Sequence, residues 1–181
     1  KLPYLGLCYG LQLATIEVAR HLLGYKQANT TEINPTTPEP IIHLIDEQTE
    51  RLKNKDYGGT MRLGTYKCVL RKGTLARKLY GQEIIEERHR HRYECNPAYR
   101  AELERAGLIP SGLSPDGTLV EVVELKDHPF FIACQFHPEF LSRPFRPHPL
   151  LKGLVEAASK KKKEEALKRQ RPTRGVAEQL R

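Results

Sequence analysis

The sequence lacks several features that mark secreted and membrane proteins. Its 181 residues include only four cysteines, and no two of them form a C-x-x-C pair. Cysteines without paired spacing favour a reducing compartment, so the chain is predicted to be cytoplasmic. No apolar run approaches the length that spans a bilayer, and no signal-peptide pattern is present. These absences argue against a disulfide scaffold and against a membrane partner.

The positive charge of the chain is concentrated at its C-terminal end. The net charge is +8, yet residues 159–181 carry nine Lys or Arg and three Glu, a balance of +6 that leaves +2 for the rest. A run such as Lys160–Lys163 is typical of a solvated extension. We therefore predict one domain over residues 1–158, a basic and disordered tail over 159–181, and no specific nucleic-acid partner. A short helix around Glu164–Arg169 is compatible with this prediction.

The order of apolar segments predicts an α/β fold. Lys1–Leu7 is short and mostly apolar, as in a buried strand, and apolar residues then recur at helical spacing up to Gly24, which can cap a helix. Glu121–Leu125 and Phe130–Phe136 indicate two further strands around a turn. We expect a mostly parallel sheet with helices on both faces.

A cysteine between two glycines stands where the first strand gives way to the first helix. The pattern Gly6-x-Cys8-x-Gly10 is the cysteine counterpart of the G-x-S-x-G nucleophile elbow. The helix dipole is expected to favour the Cys8 thiolate, and the backbone N–H of Tyr9 is a candidate oxyanion donor. Alone, such a cysteine is more often a small buried apolar residue.

A histidine and a carboxylate follow the strand that ends near residue 136. His137 and Glu139 are two residues apart, so in extended backbone they face the same way and Glu139 can bind one imidazole nitrogen. With Cys8 they form a candidate nucleophile, base and orienting acid for acyl transfer through a thioester. The pair changes the interpretation of Cys8 from packing residue to catalytic residue.

Other chemistry-bearing residues receive a structural interpretation. His89, His91 and Cys95 alternate along one segment, but arginines lie between them and oppose binding of a cation, so no metal site is predicted. Cys68, Cys95 and Cys134 lie in apolar surroundings and are predicted to be packing residues.

Two segments resemble the class I (triad) glutamine amidotransferases, namely Pro3–Gln12 and Cys134–Phe140. Three more resemble the C-terminal glutaminase domain of the CTP synthases: Ala28–Glu32, Gly58–Gly64 and Glu87–Glu94. The resemblance runs from residue 1 to about residue 155. It implies a flavodoxin-like three-layer fold and hydrolysis of L-glutamine to supply ammonia for amination of UTP to CTP.

The resemblance also implies roles for individual residues. Cys8 would attack the substrate amide, His137 would act as general acid and base, and Glu139 would orient His137. Tyr9 and Gln12 match positions that contact the substrate. Glu32 matches the carboxylate that pairs with the substrate α-amino group, and Arg92 matches the partner of its α-carboxylate.

The pattern of the family includes segments on the N-terminal side of Lys1. A glycine-rich oxyanion loop, the first strands and the synthetase domain with its UTP and Mg-ATP sites are not in these 181 residues, so the domain is expected to be incomplete at its N-terminus and weakly active alone. The Gly58-Gly59 loop has no following lysine of a P-loop, and no cofactor is expected in this domain. The intact enzyme is expected to be a homo-oligomer, a tetramer by resemblance.

Two alternatives remain open on sequence grounds. The chain could be another triad enzyme, such as a different amidotransferase or a γ-glutamyl hydrolase, although the segment from Arg88 to Glu94 argues against this. It could also be a non-catalytic interaction module.

Overall fold

The computed structural model describes residues 1–44 and 61–170 of the chain. The strands within these residues are β1 (Tyr4–Leu7), β2 (Asn29–Thr30), β3 (Pro40–Leu44), β4 (Arg62–Leu70), β5 (Ile84–His91), β6 (Tyr93–Cys95), β7 (Leu108–Leu113), β8 (Val120–Leu125) and β9 (Phe131–Cys134). The helices are α1 (Tyr9–Leu22), α2 (Leu75–Tyr80), α3 (Arg100–Arg105) and α4 (Pro149–Gln170), with 3₁₀ turns at Pro97–Tyr99 and Pro138–Phe140. The predicted alternation of strands and helices is confirmed.

A six-stranded mixed sheet in the order β1-β9-β8-β7-β4-β5 forms the centre of the described structure. Only β1 and β9 run parallel, and the other four pairs are antiparallel. The predicted mostly parallel sheet is therefore wrong for these residues. Short turns join β7 to β8 and β8 to β9, and a short turn can only reverse a strand, whereas a parallel pair needs a long crossover. A second sheet has the order β2-β3-β6.

Helices cover both faces of the large sheet, as predicted. On one face α1, α3 and the small sheet bury a core that includes Leu11, Ile41 and Val123. On the other face α2 and α4 bury a core that includes Ile132 and Leu150. Neighbouring strand residues enter opposite cores, so the sheet is buried on both sides and the fold has three layers.

Helix α1 follows the sequence pattern closely. Its buried side includes Leu11, Ile16 and Ala19, which recur at helical spacing. Gly24 lies just beyond the helix at φ +78°, in the left-handed region, and the N–H of Tyr25 donates to the carbonyl of Ala19 at 3.1 Å. This is the glycine cap that the sequence predicted.

The C-terminal helix α4 differs from the predicted disordered tail. It continues to Gln170, so residues 159–170 are helical, whereas residues 171–181 lie outside the described part of the chain. Ion pairs at i,i+4 spacing, Lys160–Glu164 at 4.0 Å and Lys161–Glu165 at 2.9 Å, stabilise helical turns that bury little surface.

Part of one sequence motif lies outside the described residues. In the motif Gly58–Gly64, residues 58–60 lie outside them, whereas Arg62 begins β4. Within residues 1–44 and 61–170, no helix is both long enough and apolar enough to cross a membrane.

Candidate active site

Cys8 lies at a strained turn between β1 and α1. Its backbone has φ 50° and ψ −101°, a positive φ that is unusual for any residue other than glycine. The first turn of α1 begins directly after it, at Tyr9. Cys8 is partly buried, whereas Cys68, Cys95 and Cys134 are fully buried and unpaired, as predicted for packing residues. Strain of this kind concentrates at functional sites, which supports the elbow interpretation.

The elbow depends on a close approach of β1 to α1. A Cβ placed on Gly6 would lie 2.8 Å from the backbone carbon and oxygen of Gly10, which have no freedom to move aside. A Cβ on Gly10 would meet only the Tyr4 hydroxyl at 3.8 Å, an ordinary contact. The Tyr4 hydroxyl donates to the Gly10 carbonyl at 2.8 Å and holds the two elements together. Of the two positions, residue 6 is therefore the one where a side chain would clash with the backbone.

His137 and Glu139 form the predicted hydrogen bond just after β9. The His137 Nδ1 and the Glu139 Oε1 are 2.6 Å apart. The backbone is not extended here, since Pro138–Phe140 is a 3₁₀ turn that folds the carboxylate back onto the ring. The Phe140 ring stacks on the imidazole at 5.3 Å between centroids. The N–H of His137 donates to the carbonyl of Arg88 at 2.8 Å, which fixes the turn against β5.

Strand pairing brings the cysteine and the histidine to the same edge of the sheet. Leu7 of β1 pairs with Cys134 of β9, the two strands are parallel, and the N–H of Cys8 donates to the Cys134 carbonyl at 2.7 Å. Cys8 and His137 therefore both leave the sheet at the carboxyl ends of adjacent parallel strands, where α/β folds hold their ligand sites. Gln135 directly follows the last residue of β9, Cys134. Its Nε2 donates a hydrogen bond to the Cys8 Sγ at 3.7 Å.

The surroundings of Cys8 favour the neutral thiol. Burial raises its pKa first of all, and the negative charges of Glu139 and Glu94 raise it further. Hydrogen bonding from the Tyr9 backbone N–H and the Gln135 amide lowers it, but does not outweigh burial. Burial and the nearby carboxylates therefore act against the thiolate that the helix dipole is expected to favour. A base must accept the thiol proton during attack, and His137 is positioned in this region to do so.

The other residues assigned by resemblance lie around β6. Gln12 is buried in α1, and its Nε2 donates to the carbonyl of Tyr93 at 2.9 Å. Glu32 and Arg92 are exposed. Both act on the Tyr93 hydroxyl, because the Glu32 charge raises its pKa and the Arg92 charge lowers it, after the larger effect of burial. One negative and one positive side chain therefore act electrostatically on the same tyrosine, and a zwitterionic amino acid needs one partner of each sign.

Sequence reasoning missed a buried ionic cluster next to these residues. Arg62 of β4 lies 3.2 Å from Glu94 of β6 and 2.6 Å from Glu121 of β8, all with little or no exposure. His89 and His91 of β5 join them, with His89 Nδ1 and His91 Nε2 2.9 Å apart. The sequence of β5 carried a signal for this cluster. Glu87, His89 and His91 alternate along the strand, at positions where a half-buried strand would normally carry apolar side chains.

Burial sets the ionisation of this cluster. It raises the pKa of Glu94 to about 8 and lowers those of His89 and His91 to about 2 and about 3, with the Arg62 charge lowering the histidine values further. Both histidines are therefore neutral at pH 7. Among residues 1–44 and 61–170, no three or more His, Cys, Asp or Glu residues are arranged to hold a metal ion.

Comparison with known proteins agrees with this geometry. Residues 1–157 match the family model described as glutamine amidotransferase class-I. Among curated proteins, the CTP synthase of Moorella thermoacetica is 58% identical over 160 residues, which are 88% of this chain and 29% of that protein. The CTP synthase of Shouchella clausii is 58% identical over 158 residues, again 29% of its length. The chain thus spans about three tenths of the curated relatives it matches.

Solved structures give the same result for the fold. The glutaminase domain of Trypanosoma brucei CTPS with bound acivicin superposes with a TM-score of 0.81 at 36% identity, over 87% of this chain and 60% of that one. A GMP synthase component from Thermoplasma acidophilum shares the fold at a TM-score of 0.55 and 14% identity. The nucleophile elbow, the His–Glu pair and the three-layer fold together agree with the family match, and the chain belongs to the class I glutamine amidotransferases.

Proposed function

We propose that this chain is the glutaminase domain of a CTP synthase and that it hydrolyses L-glutamine through a thioester on Cys8. The observation that carries the proposal is the convergence of Cys8 and the His137–Glu139 pair at the carboxyl ends of two adjacent parallel strands. The likeness to the T. brucei glutaminase domain and to two CTP synthases supports the choice within the family.

The hydrogen bond between His137 and Glu139 determines which imidazole nitrogen takes part in the proposed reaction. Nδ1 of His137 is bound to Glu139, so Nε2 is the nitrogen that accepts the Cys8 proton. The sulfur attacks the amide carbon of glutamine, and the same proton passes to the leaving nitrogen, which departs as ammonia. Water activated by His137 then cleaves the thioester to glutamate and free thiol. The backbone N–H of Tyr9 is the oxyanion donor that this chain supplies.

Substrate selection is proposed for the residues around Tyr93. Glu32 would bind the α-amino group of glutamine and Arg92 its α-carboxylate, since both charges act at the Tyr93 hydroxyl. Among the described residues none donates a hydrogen bond to the buried Oε1 of Gln12, so a substrate amide would donate to it.

The test is selective labelling of one cysteine by an electrophilic glutamine analogue such as a diazo-ketone. Peptide mapping should find the label on Cys8, and excess L-glutamine should protect it. Cys68, Cys95 and Cys134 serve as internal controls, because they are fully buried. Equal labelling of all four thiols, or labelling that glutamine does not slow, would favour the non-catalytic module instead.

The activity of the whole protein is part of the proposal. Ammonia from this domain would aminate UTP at a synthetase domain that binds Mg-ATP and lies outside these 181 residues, in a cytoplasmic homotetramer. The free state of all four cysteines supports a reducing compartment. The gene on the 5′ side of the codon for Lys1 should encode a glycine-rich loop and a P-loop domain, and a different fused domain there would contradict the assignment.

The intact gene product offers a functional test of the same assignment. Replacing Cys8 with alanine should abolish glutamine-dependent formation of CTP while free ammonia still supports it. A chain that instead cleaves γ-glutamyl peptides and makes no CTP would be the alternative γ-glutamyl hydrolase.

A further inference from the structure

Gln135 is a buried polar residue that contacts the sulfur of the reactive cysteine. Its side chain has no exposure, and its Nε2 lies 3.7 Å from the Cys8 Sγ, within the range of an N–H to sulfur hydrogen bond. Burying an amide is unfavourable unless both of its ends are engaged, so the environment of Gln135 fixes where its N–H points.

The other end of the Gln135 amide is held by α1. Gln12 donates from its Nε2 to the Gln135 Oε1 at 3.4 Å and to the Tyr93 carbonyl at 2.9 Å. The Gln135 backbone N–H donates to the Glu121 carbonyl at 2.8 Å, which anchors it to β8. An amide with its oxygen occupied in this way presents its N–H group toward Cys8. These amide hydrogen bonds also connect the Cys8 sulfur to the Tyr93 carbonyl of β6.

We propose that Gln135 is a positioning residue that holds the Cys8 sulfur by its side-chain N–H and stabilises negative charge on that sulfur during attack. The inference rests on the proposed role of Cys8 as nucleophile and adds to it the second group that faces the thiol. The need for such a donor follows from the site, since the carboxylate of Glu139 and burial both act against an ionised sulfur. A hydrogen bond to a charged group contributes more than one to a neutral group, so the contact strengthens as the proton leaves.

The experiment measures the rate of Cys8 alkylation by iodoacetamide against pH in the full chain. Gln135→Met removes both hydrogen-bonding ends at similar size, and Gln135→Glu keeps an acceptor for Gln12 but replaces the donor with a negative charge. Ser111→Ala is the matched control, because Ser111 is fully buried in β7 and its hydroxyl has no hydrogen-bond partner within the part of the chain that the structure describes. Thermal unfolding of each variant shows that the pH range used leaves it folded.

The expected result is an upward shift of the alkylation midpoint by about one pH unit in Gln135→Met, with roughly tenfold slower alkylation at pH 7.5. Gln135→Glu should shift it further, and Ser111→Ala should leave it unchanged. If Gln135 had a purely structural role, Gln135→Met would lower the melting temperature without moving the pH midpoint of Cys8 alkylation. That outcome, in a variant shown to be folded, would overturn the proposal.

A measurement on the unaltered side chain decides the matter if the Gln135 variants do not fold. In protein labelled with ¹⁵N glutamine, one side-chain amide signal should move with the same pH midpoint as Cys8 alkylation and should stay still in Cys8→Ala. Absence of any such signal would contradict the contact. Failure of the proposed function is measured separately: the wild-type chain would then show no glutamine hydrolysis that Cys8→Ala abolishes, whatever the Gln135 signal does.

Discussion

At the scale of single residues, the chemistry depends on which imidazole nitrogen of His137 is free. Glu139 binds Nδ1 at 2.6 Å and thereby leaves Nε2 for proton transfer. Replacing Glu139 with glutamine keeps the size but presents either an N–H or a neutral oxygen to the ring. We expect kcat for glutamine hydrolysis to fall by about 10²–10⁴ with little change in KM, since the orienting acid acts on the base and not on the substrate.

The matched control is Glu156→Gln. Glu156 is an exposed carboxylate of α4 that pairs with Lys152 at 3.7 Å. Steady-state kinetics should find this variant unchanged. A Glu139→Gln variant with wild-type kcat would remove Glu139 from the mechanism and leave its bond to His137 a purely local contact.

At the scale of elements, the elbow is set by one close approach. Gly6→Ala would place a methyl group 2.8 Å from the Gly10 backbone, so β1 and α1 must separate. We expect a loss of about 1–3 kcal/mol in the free energy of unfolding and slower labelling of Cys8. Denaturant titration measures the first effect.

Gly10→Ala is the comparison variant for the elbow. Its methyl group meets only the Tyr4 hydroxyl at 3.8 Å, so its stability should remain within about 0.5 kcal/mol of wild type. Equal destabilisation by both substitutions would mean that backbone freedom, and not the close approach, explains the pair of glycines.

The helix α4 contains two parts with different roles. Leu150 near its start is fully buried in the core, whereas residues beyond 158 are largely exposed and held by ion pairs on the surface. A chain that ends at residue 158 should therefore unfold within about 2 °C of the full chain, because exposed ion pairs contribute little. A large fall in melting temperature would instead place the domain boundary beyond 158.

At the scale of the whole molecule, the buried cluster of Arg62, Glu94 and Glu121 links stability to pH. The pKa of Glu94 is raised to about 8 by burial, so above pH 5 the folded state holds a proton that the unfolded state has lost. The stability from this group is fully present at low pH and is lost as pH rises through 8. His89 and His91 are neutral in both states above pH 7 and do not contribute in that range.

Glu94→Gln tests this linkage. Between pH 7 and 8 the wild-type free energy of unfolding should fall by up to about 1.4 kcal/mol, whereas the variant, which holds no titrating group there, should show a smaller slope. Urea titrations at each pH measure both slopes, with Glu156→Gln as a surface control. Identical slopes in Glu94→Gln and wild type would show that Glu94 is ionised in the folded state.

Short-range pattern was enough to predict much of the fold. Helix α1 with its cap at Gly24, the turn between β8 and β9, and the buried state of Cys68, Cys95 and Cys134 all follow from local signals. The antiparallel pairing of β4 with β7 did not, because these two strands are distant in sequence. The effect of burial on the pKa of Cys8 did not follow from local signals either, since burial depends on elements far along the chain.

The sequence alone determined the family and the identity of the reacting groups, because a cysteine between two glycines and a histidine with its carboxylate are local patterns whose chemistry does not depend on the rest of the chain. The tertiary structure decided how those groups are tuned. Gln135 reaches the Cys8 sulfur, and Arg62 meets Glu94 and Glu121, only because strands far apart in sequence are paired in space. Hydrogen bonding and desolvation act over a few ångströms of space, and sequence separation does not measure that distance.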